Sequence, residues 1–375
     1  MEDIAKRLNT TKGTVSKALN GAPDVSEGMR QAVLETAVEM NYSRALRRNN
    51  DAPCLCILVQ YMLYAREGDF GYDIILGFRK QAEANGYRVE VVELNMEIQE
   101  LYTYDEFMLK HNYRGALILG MSLQAPWLRQ LTDWYTPAVL FDNCAMGNPK
   151  VAHLGVDSRE AMELVVNYLA DLGHKRIGYL SGGLNSFVFQ QRYDRFVECA
   201  KKIDPDWDEN RAGFHYHTMQ CVQENIPKLL AQGVTAIVCS HDMLAIAAIT
   251  HLSDLGIKVP EDVSIVGFDN MPISAVSTPS LTTVCQDREK LGNCAFPILC
   301  ALMDDISVGS VLLHANLVIR DSTAKARENA LDYLSAAVSA TAVEFVLETS
   351  IATEKEKAFT STPSLTTVCQ DREKL

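Results

Sequence analysis

At 375 residues the chain exceeds what one hydrophobic core comfortably organises, so two or three domains are expected. Its 47% hydrophobic and 22% charged residues suit a globular protein, no apolar run reaches the roughly 18 residues of a membrane span, and the polar start from Glu2 is no secretory signal; the expectation is a cytoplasmic protein with no membrane partner. The formal net charge of −13 argues against nucleic-acid binding by the chain as a whole, but residues 1–50 hold eight Lys/Arg against six Asp/Glu, which makes that segment +2 and the remainder −15.

In chain order, three short helical patterns come first. Glu2–Leu8 places Ile4, Ala5 and Leu8 on one face, and Asn9 then suits the left-handed turn of a tight connection. Thr11 is an N-cap for Lys12–Asn20, whose Val15, Ala18 and Leu19 recur at helical spacing. Gly21-Ala22-Pro23 interrupts the chain, Ser26 caps a third helix, and Val33, Leu34, Ala37 and Met40 form its stripe. Two helices across a tight turn, braced by a third, is the helix-turn-helix geometry that lays the second helix in the DNA major groove. The residues facing outward there are Lys12, Gly13, Thr14, Ser16, Lys17 and Asn20. Lysine donates to guanine O6 and N7, and the hydroxyl and amide side chains suit phosphates and base edges. On composition alone the same residues also fit the solvated face of a small helical domain.

Beyond residue 53, short apolar runs alternate with amphipathic stretches. The runs are Cys54–Val59, Arg88–Val92, Ala116–Leu119, Ala138–Phe141, Ile177–Leu180, Ala236–Cys239 and Val263–Val266, with helical patterns such as Asp73–Asn85, Arg159–Leu172 and Met243–Leu255 between them. That alternation predicts doubly wound parallel sheets, in which ligands sit beyond the C-terminal strand ends. Polar and aromatic residues after the runs are therefore the binding candidates: Phe70, Tyr72, Asp142, Asp242 and Asp269. Carboxylates accept hydrogen bonds from vicinal hydroxyls, and aromatic rings stack on a sugar or base. Asp242, ahead of Met243, is equally a helix N-cap.

The ten cysteines are dispersed without a paired C-x-x-C and read as small buried hydrophobes. His215-x-His217 lacks a third nearby ligand, so no metal and no cofactor are expected. There is no G-x-S-x-G elbow, P-loop or G-x-G-x-x-G between strand and helix, which argues against an enzyme.

Several strings together resemble the lactose-repressor-type (LacI/GalR) regulators. They are Ile4-Ala5-Lys6, Thr14-Val15-Ser16-Lys17-Ala18-Leu19-Asn20-Gly21, Val25-Ser26 and Met40-Asn41-Tyr42 in the head, then Asp157 with Gly173-His174-Lys175-Arg176-Ile177. Thr235-Ala236-Ile237-Val238-Cys239-Ser240-His241-Asp242, Val259-Pro260-Glu261-Asp262-Val263-Ser264-Ile265-Val266-Gly267-Phe268-Asp269, Pro279-Ser280-Leu281-Thr282-Thr283 and Val318-Ile319-Arg320-Asp321-Ser322 follow in the family's order. The resemblance spans about residues 1–324. It implies an all-α helix-turn-helix head (1–42), a linker (43–53) and an α/β body of two doubly wound, periplasmic-binding-protein-like lobes (54–324). Lobe 1 would comprise about 54–159 and 286–319, and lobe 2 about 160–285 and 320–324.

The implied function is a repressor that binds double-stranded operator DNA as a homodimer or higher oligomer, under the control of a sugar or related metabolite held between the lobes. A sugar-binding receptor without DNA function is the competing reading. Arg192 matches the arginine of the family's R-x-x-G segment, which the resemblance implies as a hydrogen-bond donor to the ligand. Three departures stand out: Arg195 replaces the glycine of that segment, His241 stands where the family has asparagine, and Asp51 falls where the family's linker carries a leucine wedge. Arg44, Arg47 and Arg48 can still grip phosphates, with Leu46 as the nearby apolar wedge.

Residues 325–350 show a helical stripe of Leu331, Leu334, Val338, Ala342 and Val346, and Ser277–Leu291 recurs without change as Ser361–Leu375. The first copy has a natural place as a strand and the crossover that follows it. The second reads either as a duplication without a fold role or as a competitor for the first copy's slot.

Overall fold

The computed structural model describes residues 1–19, 22, 24–40, 52–143 and 147–327. The head is three helices, α1 (Glu2–Arg7), α2 (Lys12–Leu19) and α3 (Glu27–Glu39). Asn9 turns the chain at φ 47°, and the Thr11 hydroxyl accepts from the Thr14 N–H at 3.0 Å, so both expected turn devices operate. Ile4, Val15, Leu19, Val33, Leu34 and Ala37 are buried against one another. Met40, expected on that stripe, is instead exposed, because α3 ends at Glu39 and the core does not extend past it.

Lobe 1 contains β1 (Cys54–Val59), α4 (Phe70–Ala84), β2 (Arg88–Glu93), α5 (Met96–Leu101), α6 (Tyr104–His111), β3 (Tyr113–Leu119), β4 (Ala138–Phe141) and β5 (Val151–Val156). The chain then enters lobe 2 through α7 (Ser158–Asp171), β6 (Ile177–Ser181), α8 (Phe187–Ile203), β7 (Ala212–Phe214) and α9 (Thr218–Ala231). Lobe 2 continues with β8 (Ala236–Cys239), α10 (Asp242–Asp254), β9 (Ser264–Asp269), α11 (Pro272–Val276) and β10 (Thr282–Cys285). Helix α12 (Arg288–Met303) and β11 (Ser310–Leu313) return to lobe 1, and β12 (Asn316–Val318) ends in lobe 2.

Two six-stranded sheets result, in the orders β11-β5-β4-β3-β1-β2 and β12-β10-β9-β8-β6-β7. All pairings are parallel except β10 with the edge strand β12. Helices cover both faces of each sheet, which is why β1, β5 and β9 are buried along their whole length and read as unbroken apolar runs rather than alternating ones.

The three interlobe crossings fall near residues 157, 286 and 314. The third corrects the expectation of a crossing near 320: β12 already belongs to the second sheet, so residues 316–319 leave lobe 1. A three-residue antiparallel edge strand is too short to announce itself by periodicity. The first copy of the repeat supplies β10, between β9 and β12, and the start of α12. The second copy and the helical stripe lie outside the described residues.

Within lobe 1, α4 and α12 pack with almost no separation. A Cβ on Gly292 would lie 2.1 Å from the Ile74 carbonyl oxygen, and one on Gly77 2.3 Å from that of Glu289. On the opposite face of the sheet, Tyr104, Trp127 and Trp134 fill the space beneath α6, with the Tyr104 and Trp134 rings stacked at 4.0 Å. Helix α3 of the head rests on α6, where Gln31 Nε2 donates to Glu106 Oε1 at 3.4 Å and Leu109 packs on the head's core.

Candidate functional site

Two sites are built by these elements. In the head, α2 turns Val15, Ala18 and Leu19 inward and leaves Lys12, Gly13 and Lys17 exposed, with Thr14 and Ser16 half-buried. Lys12 pairs with Glu2 at 2.9 Å and Lys17 pairs with Asp24, contacts the sequence did not foretell. Those pairings hold the Glu2 and Asp24 carboxyls below their usual range, chiefly through the lysine hydrogen bonds. Solvent screens both pairs, so phosphate oxygens can replace the carboxylates. Asn20, Arg44, Leu46, Arg47 and Arg48 lie outside the described residues.

The second site lies between the lobes, where strands of both sheets end. Asp142 follows β4 at φ 49°, a left-handed conformation that Asp tolerates and that aims its carboxylate off the strand end. Gly155 on β5 makes room for it: a Cβ there would lie 2.6 Å from Asp142 Oδ1 and 3.2 Å from His153 Nε2. From lobe 2, α8 delivers Arg192, with its side chain only 3% exposed. Its guanidinium carbon lies 3.5 Å over the centre of the Phe268 ring, and Nη1 donates to the Ser240 carbonyl at 2.7 Å. Asp269 ends β9 and accepts from Gln286 Nε2 at 2.7 Å.

Arg192 therefore stands between a carboxylate of each lobe. Asp142 is 3.9 Å away and Asp269 3.8 Å away. These distances confer charge balance but lie beyond hydrogen bonding. Arg192 Nε and Ser240 Oγ are enclosed without a hydrogen-bond partner among the described residues. Burial dominates the titration of the cluster. It pushes Asp142 up to about 6 against the pull of Arg192, and Asp269 up to about 7, where Arg192 opposes and the Asp242 and Asp142 charges assist.

His241 joins the cluster although the sequence marked it only as a departure. Its Nδ1 accepts from the Leu244 N–H at 3.2 Å, and its ring lies near that of Phe189 at 5.8 Å and 26°. Burial first, then the Arg192 charge, lowers it to about 4. Phe189 and Phe187 come from the first turn of α8, behind Gly182-Gly183, whose lack of side chains admits Phe189 and Tyr216. Phe187 meets His153 edge-on at 5.9 Å. The two glycines after β6 were the only sequence signal for this aromatic wall.

Phe70 opens α4 and stands 6.0 Å from Phe141 and 5.9 Å from the Arg288 guanidinium, which itself pairs with Asp73 at 3.1 Å. Tyr72, two residues on, is half-buried on α4 and makes no hydrogen bond or ring contact with these groups.

Asp242 does not face the cleft. Its Oδ2 accepts from the Met271 N–H at 2.7 Å and the Ser274 hydroxyl at 2.5 Å, and its Oδ1 accepts from the Thr283 hydroxyl at 2.5 Å. Gly267 is required beside it, since a Cβ there would lie 2.3 Å from Oδ1. With both oxygens engaged, Asp242 ties α10, α11 and β10 together and is not a ligand group. Nor is it the N-cap, because His241 holds that position and Asp242 is the first helical residue.

Comparisons with known proteins agree with both halves of this architecture. Residues 1–45 match the family described as bacterial regulatory proteins, lacI family, and residues 166–323 match the periplasmic binding protein-like domain. The HTH-type transcriptional repressor CytR of Escherichia coli (strain K12) is 29% identical over 335 residues, covering 86% of this chain and 96% of CytR. The repressor PurR of Pasteurella multocida is 27% identical over 342 residues, covering 86% of this chain and 98% of PurR. Among solved structures, a transcriptional regulator CelR–cellobiose complex has a TM-score of 0.63 at 22% identity, covering 86% of this chain and 98% of that one. The lac repressor dimer bound to operator and an anti-inducer has a TM-score of 0.59 at 23% identity, covering 86% and 98%.

Proposed function

With the chain belonging to the LacI family of bacterial regulatory proteins, we propose that it represses transcription by binding operator DNA as a dimer, one head per half-site, and that a small molecule between its lobes controls that binding. As a member of this family it regulates and does not catalyse. Its place is the cytoplasm, with the DNA it reads.

One observation carries the ligand half of this reading. Arg192 is charge-matched by Asp142 from lobe 1 and Asp269 from lobe 2, yet hydrogen-bonded to neither. A ligand hydroxyl placed between them accepts from the guanidinium and donates to a carboxylate. It thereby stabilises one spacing of the two lobes over others, and a ligand that distinguishes two spacings shifts their populations. The lobe spacing then reaches the heads through residues 43–53, where Arg44, Leu46, Arg47 and Arg48 are the proposed contacts to phosphates and the minor groove. Lys12 and Lys17 are proposed as base contacts, and Gly13, Thr14, Ser16 and Asn20 as their neighbours against the DNA.

The experiment is selection of binding sites from random duplex DNA with the full-length protein, followed by affinity against salt concentration. The reading expects two-fold-related half-sites and a linear fall of log affinity with log salt. Enrichment of no sequence would leave the sugar-receptor reading in its place.

A further inference from the structure

We infer that lobe 1 carries a second binding site, apart from the interlobe cleft, that takes a small organic cation: an alkyl chain ending in an ammonium or guanidinium group. The site is a cavity of about 210 Å³ lined by α5, the start of α6 and residues 126–130. That volume falls short of the ~300 Å³ at which drug-sized pockets begin, so the occupant is small.

Its charge is negative and uncompensated. Glu106, 8% exposed, lines the floor, and Glu100 stands exposed at the rim. Among the described residues neither carboxylate forms an ion pair. A buried carboxylate is costly without a counter-ion, and such groups are rarely left unpaired. The capping box of α6 engages Glu106 Oε2, which accepts from the Thr103 N–H at 2.8 Å. Oε1 is left with the long contact from Gln31 Nε2 of the head at 3.4 Å. The same Gln31 nitrogen donates to Glu35 at 3.2 Å, so carboxylates of head and lobe converge on one neutral amide.

The cavity also holds an unanswered acceptor. Gln99, 4% exposed, belongs to its lining. Its Nε2 donates to the Asn95 carbonyl at 3.4 Å, which identifies the other end of the amide as the oxygen. That Oε1 is enclosed with no hydrogen-bond partner among the described residues. Glu100, Glu106 and Gln99 Oε1 all accept, and a positively charged group with several N–H hydrogens satisfies the set. An anion is repelled there, and a hydroxyl compound leaves the charge unbalanced.

The remaining walls suit a hydrocarbon chain. Trp127 is buried in the floor with its Nε1 already donating to the Tyr102 carbonyl at 2.6 Å, and Leu101 is exposed at the rim. Tyr102 already attracts a cation: Lys110 stands over its ring, 4.2 Å from the centroid, and donates to its hydroxyl without pairing with either carboxylate.

The test is titration calorimetry of the full-length protein, free of DNA, with putrescine and agmatine, against 1,4-butanediol as the uncharged counterpart. At least one amine is expected to bind saturably at one site per chain while the diol does not. No saturable binding of either amine up to about 10 mM overturns the inference, as does equal binding of the diol.

Two substitutions locate the site. Glu106→Gln keeps an acceptor for the Thr103 N–H, so the capping box survives, and removes the charge; it is expected to weaken the amine about tenfold or more. Glu100→Lys reverses the charge at an exposed position outside the box, where it leaves the fold intact, and is expected to weaken the amine about tenfold as well. Unchanged affinity in Glu100→Lys overturns the site whatever Glu106→Gln does. Asp269→Asn, in the cleft, is expected to leave amine affinity unchanged. Binding that disappears in Asp269→Asn and survives both lobe 1 substitutions puts the cation in the cleft and overturns the inference.

Discussion

Replacing Asp269 by asparagine tests the electrostatics of the cleft most directly. Burial beside Asp242 and Asp142 lifts the Asp269 carboxyl from 3.8 to about 7 despite the pull of Arg192. The folded protein therefore holds a proton over pH 4–7 that the unfolded chain has released. Protonation supports the fold at the acid end of that window, and this support is lost as pH rises through about 7. At about 1.4 kcal/mol per pH unit over roughly three units, the cost of ionising Asp269 reaches at most ~4 kcal/mol at neutral pH. The asparagine amide keeps the acceptor for Gln286 and carries no charge, but leaves Arg192 with Asp142 as its one carboxylate neighbour among the described residues, which returns part of the gain.

The expected net effect is a stabilisation of roughly 1–3 kcal/mol at pH 7.5 that shrinks toward zero near pH 4. Because His241 is lowered to about 4, its titration opposes the carboxylates below pH 6.5. The difference between variant and wild type, and not the wild-type curve, therefore isolates Asp269. Urea denaturation of both proteins at intervals from pH 4.5 to 7.5 measures it. A difference that stays constant with pH, or a variant less stable at pH 7.5, would refute the reasoning. The stabilised variant should also lose its response to effector while binding operator normally.

Gly292→Ala drives a Cβ to 2.1 Å from the Ile74 carbonyl oxygen, which belongs to helix backbone and cannot rotate away. A loss of about 2 kcal/mol or more is expected in denaturant midpoints despite alanine's better helix propensity, and a neutral result would mean that α4 and α12 separate easily. Lys17→Ala should relax preference at one operator position by roughly 1–3 kcal/mol; uniform weakening across sequences would make Lys17 a phosphate contact. Deleting residues 361–375 should leave Tm and oligomeric state unchanged, since 277–291 already fill the slot between β9 and β12, and a shift in elution volume would instead implicate strand exchange.

Local chemistry alone determined a large share of this protein. The head's helices, its Asn9 turn and the Thr11 cap depend on contacts within a few residues, and runs such as Cys54–Val59 or Ala236–Cys239 are buried on both sides wherever the chain places them. Asp142 and Asp269 were legible as well, because polar side chains at the C-terminal ends of strands of a parallel sheet point to its ligand end, whereas Arg192, inside α8, was legible only through the resemblance of its segment to the family's.

What the sequence could not decide is which way each such side chain turns. Asp269 closes the buried strand β9, and Asp242 follows the buried strand β8 by three residues. Asp242 is drawn inward by Met271, Ser274 and Thr283, residues 29 to 41 positions away, and Asp269 faces Arg192. His241 becomes a helix cap with a committed tautomer only once α10 packs behind it. Residues 316–318 join the second lobe only because β10 offers them an open edge. In each case the deciding partner is distant in the chain, and hydrogen-bond saturation by distant groups is a property of the folded molecule that no local pattern encodes.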